Sequence, residues 1–93
     1  MMQYRNSNQI TECILQSVSD SGNDGIKVTE LLHKSNLSHG RFKTFANKLV
    51  QSNLINKIDT KKKITYIITD NGRLYLDEYR KFSSIAESFG LEL

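Results

Sequence analysis

The 93-residue sequence has no proline, no tryptophan and a single cysteine, Cys13. One cysteine cannot form an internal disulfide and does not provide a cysteine-rich zinc site. Because Cys13 lies in an apolar helical stripe, we interpret it as a packed core thiol rather than a redox or metal-binding group. No apolar run approaches the roughly 18 residues of a membrane span, and residues 1–9 lack the apolar centre of a secretory leader. We therefore expect no membrane partner.

Residue patterns that support catalysis are also missing. The two histidines, His33 and His39, are six positions apart, whereas a metal-binding pair on one helix face needs a spacing of four. There is no glycine-rich phosphate-binding loop, and serine, histidine and aspartate follow no order typical of a hydrolase. The sequence therefore predicts a protein that is not an enzyme and that uses no metal, no cofactor and no small-molecule ligand.

Positive charge is concentrated in the middle of the chain, although the formal net charge is only +3. Residues 33–63 contain eight lysine or arginine residues and one acidic residue, Asp59, which gives a net charge of +7 against −4 for the rest of the chain. A basic segment between neutral or acidic ends is typical of a surface that binds a polyanion. A lysine-rich surface that serves only solubility is the alternative.

Hydrophobic periodicity predicts the first three helices. Apolar residues at three- and four-residue spacing predict a helix over 7–19, followed by a cluster of turn formers over 20–25. Ile26 begins either a short extended segment or the next helix. A short second helix ends near Asn36, a residue that tolerates a left-handed backbone. Ser38 is a suitable N-cap for a third helix that continues to about residue 52.

The pattern becomes β-type after Asn53. Residues 54–59 and 64–69 are rich in β-formers and flank a short loop, so they predict a β-hairpin. Asp70 or Thr69 then caps a last helix that continues to Phe89. The predicted class is α+β, mainly α: a winged helix-turn-helix of three helices and a β-hairpin wing, followed by a long C-terminal helix.

The stretch 26–69 resembles archaeal winged helix-turn-helix regulators of the small, dimeric ArnR-like kind, distant relatives of the MarR and ArsR repressors. The matching motifs are Thr29-Glu30-Leu31, Asn36-Leu37-Ser38, Leu49-Val50, Leu54-Ile55 and Tyr66-Ile67-Ile68-Thr69 with Gly72. Three positions depart from the family pattern. Asn53 replaces a glycine, Lys27 stands where serine or threonine caps the second helix, and Gly40 lies in the first turn of the third helix. The resemblance implies an archaeal transcription factor or chromatin-like DNA binder whose final helix pairs two subunits as a coiled coil.

The third helix carries the candidate site. In a helix-turn-helix, the second helix of the motif presents its N-terminal residues to base edges in the major groove. Arginine and asparagine can each bind a purine with two hydrogen bonds, threonine can contact a thymine methyl group, and serine can hydrogen-bond phosphate. An ordinary solvated helix face also carries such residues, but the motif favours double-stranded DNA as the partner. The predicted DNA-binding residues are Ser38, His39, Gly40, Arg41, Lys43, Thr44, Asn47 and Lys48.

The predicted wing tip carries Lys61, Lys62 and Lys63. Three adjacent lysines suit phosphates or the minor groove, and they add a salt-dependent, sequence-independent contribution to binding. The alternative is a hairpin loop that the charges merely keep soluble.

The C-terminal helix contains a candidate dimer seam. Tyr75, Tyr79, Phe82, Ala86 and Phe89 are separated by 4, 3, 4 and 3 residues, which is the spacing of positions a and d in a coiled coil. The seam therefore predicts a homodimer, and packing of the whole stripe within one subunit is the alternative.

These patterns predict a DNA-binding domain over 1–69 and a dimerisation helix over 70–93. Our interpretation is a sequence-specific, homodimeric transcriptional regulator that is cytoplasmic and nucleoid-associated and reads DNA through residues 39–52. One alternative is a chromatin-architectural protein with little sequence preference. The other is a winged-helix module that binds a protein, although such a module has no need for a charge of +7 in this segment.

Overall fold

A computed structural model describes residues 6–91, so the outer ends of the two predicted parts, 1–5 and 92–93, lie outside the described residues. Within 6–91 the chain forms four α-helices, three strands and a 3₁₀ turn at Gly22–Asp24. In order these are α1 (Ser7–Asp20), β1 (Ile26–Lys27), α2 (Val28–Ser35), α3 (His39–Gln51), β2 (Ile55–Asp59), β3 (Ile64–Ile68) and α4 (Asp70–Ser88). The predicted order of helix, helix-turn-helix, hairpin and long helix is confirmed.

The three strands form one antiparallel sheet in the order β1-β3-β2. In the hairpin, Ile55 pairs with Ile68 at one end and Asp59 pairs with Ile64 at the other. On the other side of β3, Ile26 pairs with Tyr66. The segment that the sequence left open is therefore a short strand that passes directly into α2.

A single hydrophobic core joins the helices to the sheet. In it α1 packs against α2, α4 and β3. The buried core residues are Ile10, Ile14, Leu15, Val18, Ile26, Leu31, Phe42, Ala46, Leu49, Ile55, Tyr66, Ile68 and Leu76.

Cys13 is only half-buried, so the prediction of a packed core thiol is corrected to a thiol at the edge of the core. On the same helix Leu15 is fully buried. The buried stripe of α1 therefore includes Leu15 instead of Cys13, and it is centred on the other side of Ile14 from the stripe that the sequence predicts.

Thr69 connects the wing to α4. Its hydroxyl donates to the carbonyl oxygen of Asn53 at 2.6 Å and accepts the Gly72 N–H at 2.9 Å, so Thr69, rather than Asp70, is the N-cap. A Cβ at Gly72 would collide with the carbonyl oxygen of Leu54. The start of α4 can therefore lie this close to the turn between α3 and β2 only because residue 72 is glycine.

None of the helices in the described part of the chain is both long enough and apolar enough to cross a membrane.

Candidate nucleic-acid interface

The turn between α2 and α3 is fixed by local hydrogen bonds. Asn36 ends α2 in the left-handed region, with φ of 54°, as its side chain predicts. Ser38 then begins α3: its Oγ accepts the Arg41 N–H at 3.3 Å, and its carbonyl oxygen accepts the Phe42 N–H at 2.9 Å. The predicted N-cap is confirmed, and it determines where α3 begins.

One side of α3 is held in the core. Phe42, Ala46 and Leu49 are buried, and the ring of Phe42 contacts the ring of Tyr66 on β3. Because these residues recur at helical spacing, they fix which side of α3 faces outward.

The outward side carries all the predicted site residues of α3. At 100° per residue, Gly40, Thr44 and Asn47 follow the middle of this face, and basic residues lie on both of its flanks. The arrangement brings hydrogen-bonding groups together between positive charges. The exposed residues are His39, Gly40, Arg41, Lys43, Thr44, Asn47 and Lys48.

Two residues in the middle of this face have limited structural roles. The Thr44 hydroxyl donates to the carbonyl oxygen of Gly40 at 3.1 Å, so a ligand would meet the Thr44 methyl group or an accepting oxygen. A Cβ at Gly40 would have no neighbouring atom within 4 Å. The fold therefore does not require glycine at this position.

The wing loop is closed by Thr60. Its N–H and its hydroxyl both donate to the carbonyl oxygen of Lys63 at 2.9 Å, and its Oγ1 accepts the Lys63 N–H at 3.2 Å. This pattern makes a tight loop without glycine or asparagine. Lys61, Lys62 and Lys63 are all exposed on it.

The basic residues of α3 and of the wing lie outside the ion pairs found in residues 6–91. Those pairs are Lys34 with Glu30, Arg80 with Glu12, and Lys81 with Asp77 and Glu78. Nor do the described residues group three or more metal-ligating side chains. Within the described part of the chain, the basic side chains of α3 and the wing are thus exposed and form no ion pair.

A groove of about 630 Å³ lies between the wing and the start of α2, and sequence reasoning did not find it. It is lined by Lys27, Val28 and Thr29 on one side and by residues 59–64 on the other. Lys27 stood out in the sequence only as an unusual helix cap, and it makes no side-chain cap hydrogen bond. Its position in the groove follows from the pairing of β1 with β3, which a two-residue strand does not signal in sequence.

The residues of the candidate dimer seam differ in their exposure to solvent. Tyr75, Phe82 and Phe89 are exposed, whereas Ala86 is buried within the subunit. Tyr79 is half-buried, and its pKa is raised by that burial and by the nearby carboxylate of Glu12. As a correction, Tyr79 and Ala86 belong to the side of α4 that packs on its own subunit.

Two further apolar residues lie on the outer side of α4. Leu74 is 58% exposed and Ile85 is 57% exposed. At 100° per residue they fall beside Phe82 and Phe89 rather than beside Ala86. We define the exposed stripe of α4 by these large apolar residues: Leu74, Tyr75, Phe82, Ile85 and Phe89. The centre of this stripe is displaced around the helix from the centre of the predicted seam by about half the width of the stripe.

Comparisons with known proteins agree with this architecture. The family model described as winged helix-turn-helix matches residues 4–87. The fold is similar to that of Sso10a-2, a DNA-binding protein from Sulfolobus solfataricus, with a TM-score of 0.75 and 19% identity over 91% of this chain and 85% of that one. It is also similar to AF1382 from Archaeoglobus fulgidus, with a TM-score of 0.70 and 14% identity over 89% of this chain and 92% of that one. No curated protein sequence matches significantly.

At these identities the two structures bear on the fold alone. The resemblance to a winged helix-turn-helix is confirmed, and its narrower ArnR-like part stays a prediction. The chain belongs to the winged helix-turn-helix family.

Proposed function

We propose that this protein binds double-stranded DNA as a homodimer and regulates transcription, with α3 in the major groove and the wing on the phosphate backbone. The observation that carries the proposal is the outward face of α3, where hydrogen-bonding residues lie between basic residues that take part in no ion pair of the described chain. The DNA-binding protein Sso10a-2, which has a similar fold, supports the same partner.

The residues divide by the contacts that their chemistry allows. Arg41 and Asn47 suit purine edges, and Thr44 suits a thymine methyl group. Lys43 and Lys48 suit phosphates on the two sides of the groove, where they fix register and orientation without reading sequence. The wing lysines add a further sequence-independent attraction.

The exposed stripe of α4 supports pairing of two copies. Phe82 and Phe89 are 61% and 77% exposed, and so much exposed apolar surface on one side of a helix is unusual on a monomer. A second copy carries the same stripe, so a two-fold axis can cover both at once. Two subunits also supply two recognition helices for consecutive half-sites. In this proposal residues 1–69 bind DNA and residues 70–93 dimerise.

Selection of bound sequences from a pool of random duplexes, at near-physiological salt, tests the proposal. A shared motif among the recovered duplexes is expected of a regulator, and a two-fold repeat within it is expected of a homodimer. Recovery of DNA without any motif would replace regulation with an architectural role. If no duplex is recovered, DNA binding is wrong and a protein partner becomes the better proposal.

A further inference from the structure

The groove between the wing and α2 is strongly basic. Four of its nine lining residues are lysines, Lys27, Lys61, Lys62 and Lys63, and the acidic residue among them is Asp59. The lysines come from two separate parts of the chain that the sheet brings together. The positive charge is therefore a property of the groove and not of the wing alone.

The pairing of β1 with β3 explains how Lys27 reaches this position. Lys27 pairs with Thr65, so Lys63, two residues before Thr65, is its diagonal neighbour across the strands, at a distance of roughly 7–8 Å. Its neighbour Ile26 is buried, while Lys27 itself is exposed. Because side chains alternate along a strand, burial of Ile26 in the core directs Lys27 outward.

We propose that this groove binds the sugar–phosphate backbone of the DNA strand beside the wing, with Lys27 as a phosphate ligand on one wall and the wing lysines on the other. This inference rests on the proposed function and adds a contact that α3 and the wing tip do not supply. The groove is open to solvent along the wing, as binding of an extended strand requires. Both walls are positive, which suits a strand that carries a negative charge at every nucleotide.

Lys27→Gln tests the contact, with Lys34→Gln as the matched control. Both variants remove one positive charge at an exposed position, but Lys34 lies on α2 outside the groove and pairs with Glu30. Loss of one phosphate contact reduces the steepness of log affinity against log salt concentration by about 0.9. At 0.1 M salt this corresponds to about a tenfold loss of affinity. We expect this loss per subunit for Lys27→Gln and a much smaller loss for Lys34→Gln, measured by fluorescence anisotropy with duplex DNA.

Asp59→Asn is a second test variant, and its expected effect on DNA affinity is opposite to that of Lys27→Gln. Removing the acidic charge that lines the groove reduces repulsion of the phosphates, so affinity for DNA should rise severalfold. A poorly folded variant would bind more weakly, so a gain in affinity separates the electrostatic effect from damage to the fold.

The outcomes distinguish this inference from the proposed function. Wild-type protein that binds no DNA would overturn both. Wild-type protein that binds DNA, together with equal affinities for Lys27→Gln and Lys34→Gln, would overturn the groove contact alone. Titration of the protein with inorganic phosphate should show no tight binding. Tight phosphate binding that Lys27→Gln abolishes without weakening DNA binding would show that the groove holds a free anion instead.

Discussion

Phe42 on α3 and Tyr66 on β3 meet edge to face, with their ring centroids 6.5 Å apart and their planes at 72°. Both residues are buried, and aromatic pairs of this geometry contribute about 0.5–1.5 kcal/mol beyond the burial of their area. Tyr66 also lies in the central strand, where it pairs with Ile26 on one side and Lys57 on the other. The contact therefore fixes α3 relative to the middle of the sheet that carries the wing.

The same burial predicts a loss of stability at alkaline pH. Burial raises the pKa of Tyr66 above its ordinary value of 10.0, so above about pH 10 the unfolded chain releases this proton while the folded chain retains it. Stability is fully present below pH 10 and falls as the pH rises toward the folded pKa. Tyr66→Phe keeps the ring contact with Phe42 and should reduce the loss, as measured by urea unfolding at pH 7 and pH 11. An equal loss in wild type and variant would contradict the prediction.

The order of elements was predictable because the apolar residues of each long helix or strand recur with the spacing typical of that element. The boundaries of α3 were predictable for a local reason: Asn36 accepts a left-handed backbone and Ser38 caps the next helix, whatever the rest of the fold does. The exposed residues of α3 follow from the same period, since Phe42 and Leu49 fix the buried side.

Features that depend on contacts between distant residues were not predictable. The two residues of β1 are too few to show a period, so the sequence could not decide between an extended segment and a helix start at Ile26, and it did not show the position of Lys27 in the groove. On α4, a spacing of three and four residues describes both its core side and its exposed stripe. The sequence therefore joined Tyr79 and Ala86 to Phe82 and Phe89, although burial separates them.

Binding to duplex DNA should depend steeply on salt. If Lys43, Lys48 and the wing lysines of two subunits neutralise roughly 6 to 10 phosphates, affinity falls by about a thousandfold or more between about 50 and 200 mM salt. Fluorescence anisotropy titrations over this range measure the slope. A flat response would exclude phosphate contacts as the source of affinity.

Substitutions on α3 should change the sequence preference of DNA binding, whereas substitutions on the wing should change its overall affinity. Replacing Arg41, Thr44 or Asn47 with alanine should relax sequence preference, because each base contact contributes about 1–3 kcal/mol of discrimination. Replacing Lys61, Lys62 and Lys63 together should weaken binding to every duplex alike and reduce the salt slope. Competition between a selected duplex and a scrambled duplex of equal length separates the two effects. Weaker binding of the selected duplex alone by the wing variant would contradict this division.

Gly40→Ala should make the protein more stable and weaken its binding to DNA. The space around Gly40 is open, so alanine adds about 0.5–1 kcal/mol of helix stability without a clash. The added methyl group would, however, stand between the helix backbone and a closely approaching phosphate. Unfolding and binding of the same variant are compared, with Ser84→Ala on α4 as a control for helix stability alone. Unchanged affinity would show that the α3 backbone does not approach DNA closely at this position.

Dimerisation should depend on the exposed stripe of α4 and not on the buried side of the helix. Phe82→Glu with Phe89→Glu places two charges where the subunit leaves both rings exposed, so the variant should stay folded and become monomeric. Sedimentation equilibrium should give twice 10.7 kDa for the wild type and a single subunit mass for the variant. The control is Ser84→Glu, which adds a charge at an exposed position on the opposite side of α4 and should leave the dimer intact. Circular dichroism of the variant confirms that the fold is retained. A monomeric wild type at high micromolar concentration, or a dimer that survives the double substitution, would show that the stripe does not pair two subunits.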